Sequence, residues 1–358
     1  MDENLSKIDY FSVFENYQFD RLKDASVLIT GASGFIGSVI LKILGEISLS
    51  KQLNIKLIAL SRRPIKKGNV AYTPCVKSYC KDVRKPVIIP WDVDYIIHCA
   101  SVTDSITMKN NPVDTFLTCV EGTKNILDLA RTKKVRSMVF ISSMEVYGAD
   151  AQNPSTWNNS GSNGSEDHYV TEDMLGYINL KNPRASYPEG KRAAEFLCNA
   201  YYSEFGVPVK ITSLAQTFGP GVSPSDERVF AQFARSVVNN EDIVLHTDGS
   251  SDGNYCHIYD TVAGILAILL KGADGETYNV ANEELHMTVR QMAEFVAGDI
   301  AKGRIRVVYD IPDDKDKFGY PPPVKLSMSS EKLRHLGWKP RYNMNDMYSQ
   351  MIDYWKGL

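Results

Sequence analysis

The run Val27-Leu28-Ile29-Thr30-Gly31-Ala32-Ser33-Gly34-Phe35-Ile36-Gly37 decides how this chain of 358 residues folds. Four residues of a short apolar, β-prone run lead into three glycines spaced by three. Val39, Ile40, Ile43 and Leu44 then carry a helical period, and Ile55–Leu60 reads as a second strand. The order is strand, glycine turn, helix, strand. Glycines there let the backbone approach a pyrophosphate and let the helix pack close to the strand, while the helix N-terminus turns its free N–H groups to the phosphates. Alone the spacing marks only a tight turn; between a strand and a helix it is a dinucleotide-binding signature. Gly31, Ser33, Gly34, Phe35, Ile36 and Gly37 are therefore candidate cofactor contacts.

The end of the second strand reads Ser61-Arg62-Arg63. An acidic residue there would hold a ribose 2′-hydroxyl. Guanidinium groups suit a 2′-phosphate, so Arg62 and Arg63 point to NADP, with NAD as the alternative if both are solvated loop residues. Asp82-Val83 stands where a carboxylate can meet an adenine amine, and Tyr95–Ala100 is a further buried strand whose small exit residues, Ala100 among them, leave room for a cofactor. Residues 112–132 form an amphipathic helix in which Gly122 implies a close crossing. Ser137–Ile141 is the next strand.

Outward from this unit the chemistry-bearing stretch is Ser186-Tyr187-Pro188-Glu189-Gly190-Lys191. Tyr187 and Lys191, four apart on a helix, share a face. A fixed ammonium beside a phenol stabilises phenolate and is expected to lower the Tyr187 pKa from its usual value of about 10. Ser186 reads as the helix cap and Glu189 as its capping-box partner, with Pro188 tolerated in the first turn. Such a pair is more often surface packing than a proton relay. Here Ser143, at the carboxyl end of a strand, adds a hydroxyl able to share a proton with Tyr187, and catalytic groups of open α/β sheets gather at strand ends.

The fold expected is α/β: a Rossmann doubly wound parallel sheet over residues 26–215, completed by parts of 250–270, with a 1–25 N-terminal extension and a smaller C-terminal substrate-binding lobe at 216–358. In the extension Ile8, Phe11 and Phe14 fall at helical spacing; a docked helix and a loose extension are both open. Residues 149–170 read as a polar loop, and Pro321–Pro323 as a rigid turn. Net charge is −3 with no basic block, which speaks against nucleic acid. No apolar run reaches the roughly 18 residues of a membrane span, and Met1-Asp2-Glu3-Asn4 is acidic where a signal peptide is basic. A cytoplasmic enzyme without membrane contact is expected. The six cysteines show no C-x-x-C, with Cys99 and Cys198 reading as small hydrophobes, and the six histidines lack ligand spacing, so no metal is expected.

Taken together, Thr30–Gly37, Asp82-Val83-Arg84, His98–Ala100, Ser143…Val146-Tyr147-Gly148, Tyr187-x-x-x-Lys191 and Phe218-Gly219-Pro220 carry a resemblance. Over about 26–355 the chain resembles the extended short-chain dehydrogenase/reductases of the nucleotide-sugar epimerase/dehydratase group. The resemblance implies a bound nicotinamide cofactor, a nucleoside-diphosphate sugar substrate and a homodimer. It makes Tyr187 the general acid/base at a sugar oxygen, Ser143 the group orienting that oxygen, and Lys191 the holder of the nicotinamide ribose. Glu145 and Tyr187–Glu195 look most like UDP-glucuronate decarboxylases, as does the Arg228 region. Three departures weaken that match: Gln216 in place of an Asn, Val324-Lys325-Leu326 in place of an Arg-bearing segment, and Gly253 in place of an Arg. The 4,6-dehydratases carry an Asp-Glu pair where this chain has Met144-Glu145, and Met144 donates no proton. Glu145 is then either a substrate contact or a solvated neighbour. Gln216 and Arg228 are the other candidate substrate contacts.

Epimerases and decarboxylases regenerate a resident NAD, whereas a reductase exchanges its cofactor and commonly takes NADPH. Arg62 and Arg63 favour an NADP-dependent reductase of a 4-keto-(6-deoxy) nucleotide sugar, such as dTDP-4-dehydro-6-deoxyglucose, in surface polysaccharide or O-antigen synthesis. The alternatives are an NAD-dependent nucleotide-sugar 4-epimerase or UDP-glucuronate decarboxylase and, more remotely, a non-catalytic NAD(P)-binding module. Retention of Ser143, Tyr187 and Lys191 speaks against the last.

Overall fold

The computed structural model describes residues 11–14, 17–65, 76–149, 151, 169–312 and 325–358. The readings for Ile8, Cys75, most of the 149–170 loop, Pro321–Pro323 and Val324 fall outside these residues.

The apolar runs become parallel strands: β1 (Ser26–Thr30), β2 (Lys56–Ser61), β3 (Val76–Cys80), β4 (Tyr95–His98), β5 (Ser137–Ser143) and β6 (Val209–Leu214). Two later strands, β7 (Gln216–Phe218) and β8 (Ile243–Leu245), leave this sheet, as does β9 (Asp252–His257), but β10 (Thr277–Val280) returns to it. The sheet order is β10-β6-β5-β4-β1-β2-β3, and every pairing in it is parallel. Helices cover both faces, so the strands read as continuous apolar runs rather than alternating ones. Val27, Leu28, Ile96, Val139 and Val209 are fully buried. This is the Rossmann-like α/β fold expected.

Helix α1 (Phe35–Ser50) buries Ile40, Ile43, Leu44 and Ile47 on the sheet. Beyond α2 (Ser105–Asn110), α3 (Pro112–Lys133) packs along α4 (Ser186–Phe205) on the opposite face. The close crossing expected at Gly122 is against the sheet side: a Cβ there would stand 2.9 Å from Val83 Cγ2. Two further helices are α5 (Val229–Asn239) and α6 (Ile258–Lys271), of which α6 is buried from Ile258 to Leu270. Part of that cover comes from the N-terminal segment. Phe14, Phe19 and Leu22 join the core, Tyr17 Oη donates to Ala263 O at 3.0 Å and Arg21 to Leu270 O at 2.5 Å. From residue 11 onward, then, the described extension is docked.

The second core lies beyond the carboxyl ends of the large sheet's strands. It contains β7 and β9 with β11 (Asn282–Thr288) in one sheet, β8 with β12 (Val307–Tyr309) in another, and α5 with α7 (Val289–Phe295). A short α8 (Glu331–Arg334) and the terminal α9 (Met344–Lys356) follow. Phe218 stacks on Phe230 at 4.6 Å between ring centroids, with Tyr255 and Tyr348 at their edges. Strands β9 and β11 escape a reading by periodicity. Their sequences, DGNYCH and NEELHMT, are polar, and β9 is buried because it is paired on both sides.

Where the large sheet reverses direction of growth, β1 lies between β2 and β4. A buried bridge ties the strand ends there. Thr30 Oγ1 lies 2.6 Å from His98 Nδ1 and accepts the Ala100 N–H at 3.1 Å, and His98 Nε2 lies 3.3 Å from Thr123 Oγ1. Burial, aided by the Lys191 charge, pushes the His98 pKa from 6.5 down to about 3. Between these values the unfolded chain binds a proton that the folded chain does not, so this group's contribution to stability falls as pH falls. Urea unfolding across that window should show a shallower pH dependence for His98→Gln than for the native protein. Equal slopes would mean that His98 is not held neutral.

Candidate functional site

One cavity of about 1380 Å³ opens at the switch point between β1 and β4 and is walled on its far side by residues of the second core. Its cofactor side is built from backbone. Gly31 has φ +63°, and a Cβ on it would lie 2.8 Å from Ala100 N; a Cβ on Gly37 would lie 2.5 Å from Gly31 O. No side chain fits at either place. Gly34, the α1 cap, makes no side-chain hydrogen bond to the helix. The first-turn N–H groups, which have no intrahelical partners, therefore stand at a concave, glycine-lined shelf that suits a pyrophosphate. Gly31, Ser33, Gly34, Phe35, Ile36 and Gly37 all line the cavity, as do Asp82, Val83 and Ala100.

The two arginines after β2 part company. Arg62 lines the cavity and its charge helps lower the Asp82 pKa, whereas Arg63 is exposed and is not brought to the cavity. The reason is local: Ser61 Oγ bonds the Arg63 carbonyl and turns the chain away. Asp82 itself is held by the Arg84 guanidinium, with Nη2 to Oδ2 at 2.8 Å, and that bond is the main cause of its lowered pKa. Cys198 is buried as expected, but Cys99, read as a packed small residue, is half-buried and lines the cavity.

The candidate proton-handling groups meet where β5 and α4 converge. Ser143 ends β5, and its Oγ accepts the Glu145 N–H at 3.3 Å in the following 3₁₀ turn, Met144–Tyr147. Tyr187 and Lys191 are buried on the inner face of α4, and Ser143 hydrogen-bonds the phenol. The capping expectation fails. Ser186 is the first helical residue rather than the cap, its hydroxyl donates to Met108 O at 3.3 Å, and Glu189 pairs with Arg192 at 3.2 Å. A 3₁₀ turn at Pro183–Ala185, capped by Asn182, feeds the helix instead.

The expected lowering of the Tyr187 pKa is also overturned. Burial, then the negative charge of Glu145, pushes it above the usual phenol range, while the Ser143 hydrogen bond and the Arg184 charge pull against them. Lys191 is anchored away from the phenol oxygen. Its Nζ donates to Ile141 O at 2.6 Å and lies 4.8 Å from the Phe140 ring centroid and 5.8 Å from that of Tyr187. Burial lowers the Lys191 pKa. One turn further along α4, burial raises the Glu195 pKa to about 7, and Ser142 Oγ donates to its carboxylate.

On the substrate side, both oxygens of Glu145 are gripped by Arg184, Nη1–Oε2 at 2.7 Å and Nη2–Oε1 at 2.9 Å. Glu145 is thus paired rather than bare, with 30% of its side chain still exposed. Arg184 was invisible to sequence reasoning, because no periodicity marks it; only its place three residues before Tyr187 hints that it shares the site. Gln216 and Arg228 line the cavity as expected, but Arg228 is held by Asp226 at 2.7 Å. Tyr177, Tyr255, Phe233 and Thr247 also reach the cavity and were missed. Among the described residues no cluster of His, Cys, Asp or Glu has the arrangement of a metal site, and no helix is long and apolar enough to cross a membrane.

Known proteins share this design. The sequence model of the NAD dependent epimerase/dehydratase family matches residues 27–281. UDP-glucuronic acid decarboxylase 3 of Arabidopsis thaliana is 30% identical over 324 residues, 89% of this chain and 86% of that one. Among solved structures, an epimerase of Methanothermobacter thermautotrophicus superposes with a TM-score of 0.77 at 21% identity, over 98% of this chain and 96% of that one. A dTDP-glucose 4,6-dehydratase of Streptomyces venezuelae gives 0.73 at 23% identity, over 92% and 97%. The last two show the same fold. The family match spans more than half of the sequence and includes the glycine shelf and the Tyr187–Lys191 pair, and the chain accordingly belongs to the NAD-dependent epimerase/dehydratase family, enzymes of the extended short-chain dehydrogenase/reductase type.

Proposed function

We propose that this protein is an NADP-dependent reductase of a 4-keto nucleotide sugar of the 4-keto-6-deoxy class, acting in the cytoplasm in surface-polysaccharide synthesis. The observation that carries the reading is the Glu145–Arg184 pair beside Met144. Dehydration and decarboxylation require proton transfers at ring or side-chain carbon as well as at O4, hence a second acid or base. Here Met144 has no proton to give, and both Glu145 oxygens are engaged by the guanidinium. Reduction of a 4-ketone needs one proton, at the carbonyl oxygen, and Tyr187 with Ser143 suffices for it.

The glycine shelf and Ala100 fit the pyrophosphate end of a dinucleotide, because side chains are excluded where its oxygens would approach. A reduced nicotinamide dinucleotide, when bound, supplies hydride to C4. Ser143 Oγ and Tyr187 Oη hold the carbonyl oxygen between them, and Tyr187 gives its proton as negative charge develops there. The raised Tyr187 pKa keeps the phenol protonated, the state an acid needs. Lys191, fixed by Ile141 O, places a cation behind the phenol to stabilise the phenolate left after transfer. Arg62 supplies the charge for a 2′-phosphate. A second reading, UDP-glucuronate decarboxylation, is favoured by the identity to relatives of that name; the missing cation at Gly253 weighs against it.

We also infer a homodimer through the outer surface of α3 and α4, which leaves Val113 and Phe196 about 70% exposed.

Three outcomes are expected. NADPH is consumed in equal amount to dTDP-4-dehydro-6-deoxyglucose, and Glu145→Gln keeps kcat within about tenfold. A requirement for proton transfer by Glu145 would instead cost about 10²–10⁴-fold, and carbon dioxide release from UDP-glucuronate would establish the second reading. Arg62→Ala lowers the NADPH-over-NADH preference in kcat/KM by about tenfold, a loss of the order of one charge-assisted bond; an unchanged preference removes Arg62 from cofactor selection. Sedimentation equilibrium gives twice the 40.1 kDa chain mass, and Phe196→Glu returns the monomer; a monomeric native protein contradicts the dimer.

A further inference from the structure

The last three residues of β5 each hold one turn of α4. Ser143 hydrogen-bonds Tyr187, the Ile141 carbonyl accepts from Lys191 Nζ at 2.6 Å, and Ser142 Oγ donates to the Glu195 carboxylate. Tyr187, Lys191 and Glu195 are spaced by four, so they run as one stripe along the side of α4 that meets β5. The first two line the cavity and Glu195 does not. Whatever Glu195 does for the chemistry, it does through a neighbour.

That neighbour is Lys191, a cation only 2% exposed. A buried ammonium with no opposite charge beside it gives up its proton rather than stay charged. The Ile141 carbonyl offers a dipole and the Phe140 ring a face at 4.8 Å, but neither carries a charge. The ionisable groups around Lys191 are His98 and Cys99 from the β4 end, Cys119 from α3, and Tyr187, Cys198 and Glu195 from its own helix. Burial keeps His98 neutral and pushes the Cys99, Cys198 and Tyr187 pKa values up, so none of the four is charged at neutral pH. The Cys119 thiol lies 3.5 Å from Ser101 Oγ. Glu195 is the carboxylate of this set. Its other neighbours do not take its charge. Arg192 gives its guanidinium to Val146 O, Gly176 O and Glu189, and Tyr147 is a phenol bonded to Asn279. Burial holds the Glu195 carboxyl at about 7. Its negative charge therefore grows in as pH rises, the direction in which a buried lysine loses its proton.

We propose that Glu195 is a positioning residue that acts through Lys191, as the counter-charge that keeps the cation behind Tyr187 in its ammonium form. The proposal rests on the reading above in which Tyr187 is the acid. Glu195 touches no reacting atom; its charge sets how well the phenolate left by proton transfer is stabilised.

The test is an NMR titration of the full-length protein carrying ¹³Cε-lysine, with the Lys191 signal assigned by its loss in Lys191→Met. Glu195→Gln removes the charge but leaves an amide oxygen to accept from Ser142. Lys191 should then lose its proton at least about tenfold more readily, the effect of removing a neighbouring opposite charge. Ser142→Ala removes the tie but leaves the charge, and should change the Lys191 proton affinity by less than about threefold. In the native protein the Lys191 signal should also show a small inflection near pH 7 as Glu195 ionises. That inflection should be absent in Glu195→Gln and moved to higher pH in Ser142→Ala, which loses a bond that favours the carboxylate. It serves as the readout even if the Gln variant does not fold. With NADPH and dTDP-4-dehydro-6-deoxyglucose, kcat of Glu195→Gln should begin to fall about one pH unit lower than that of the native enzyme. A Lys191 titration unchanged by Glu195→Gln, or no inflection near pH 7 in the native protein, overturns the pairing and leaves Glu195 a structural tie. A native protein that does not oxidise NADPH with that sugar overturns the reductase reading instead, and the Lys191 titration still decides the pairing.

Discussion

The whole arrangement depends on how closely two pieces of backbone approach at the sheet's switch point. At Gly31 the turn after β1 runs against Ala100 after β4, with no room for a Cβ between them, and Gly37 brings α1 down on the same turn. Hydrophobic burial of β1 and β4 supplies the force that holds the strands together, and the Thr30–His98–Ala100 bridge fixes their ends. The result is a shelf of backbone N–H groups at the mouth of a cavity. The candidate proton-transfer groups on β5 and α4 are placed relative to it, since ligands of open α/β sheets lie at the carboxyl ends of the strands beside the switch point.

From the shelf, two anchored elements bring the proton chemistry to one point. Packing of α3 on α4 sets the depth of α4, and the Lys191–Ile141 bond ties it to β5. Tyr187 then stands beside Ser143 without further adjustment, buried enough that its pKa lies above the usual phenol range. Glu145 and Arg184 oppose each other in their effect on that phenol, and the Glu145 charge is the larger of the two. The apolar cluster at Met144 contrasts with that pair, bringing Met144, Ala215 and Leu326 to the cavity.

Much of this was legible in the sequence because it is local. The strand–glycine–helix unit, the Tyr187–Lys191 spacing and the amphipathic helices are patterns within a few turns of chain, and the parallel sheet follows from them. What escaped is non-local or depends on competition. Strand β9 is polar in sequence and is a strand only because β7 and β11 flank it. Arg184 finds Glu145 across 39 residues. Arg63 was equal to Arg62 on paper until Ser61 bonded its carbonyl and turned it out. Spacing put Lys191 beside Tyr187 correctly, but not its effect: burial and Glu145 outweigh the ammonium, which is spent on a backbone carbonyl. Ser186 likewise reads as a cap and is drawn into the helix because Asn182 starts the chain turning earlier.

The central claim is that hydride leaves the cofactor for good and comes to rest on the sugar, with Tyr187 supplying the accompanying proton. Transfer of label from NADPH deuterated at its reactive nicotinamide carbon to dTDP-4-dehydro-6-deoxyglucose tests it most directly. The account predicts one deuterium at sugar C4 for each NADPH oxidised, and none in a Tyr187→Phe variant. Turnover of a nucleotide sugar to an isomer or a pentose, with no net oxidation of NADPH and no deuterium at C4, would contradict it.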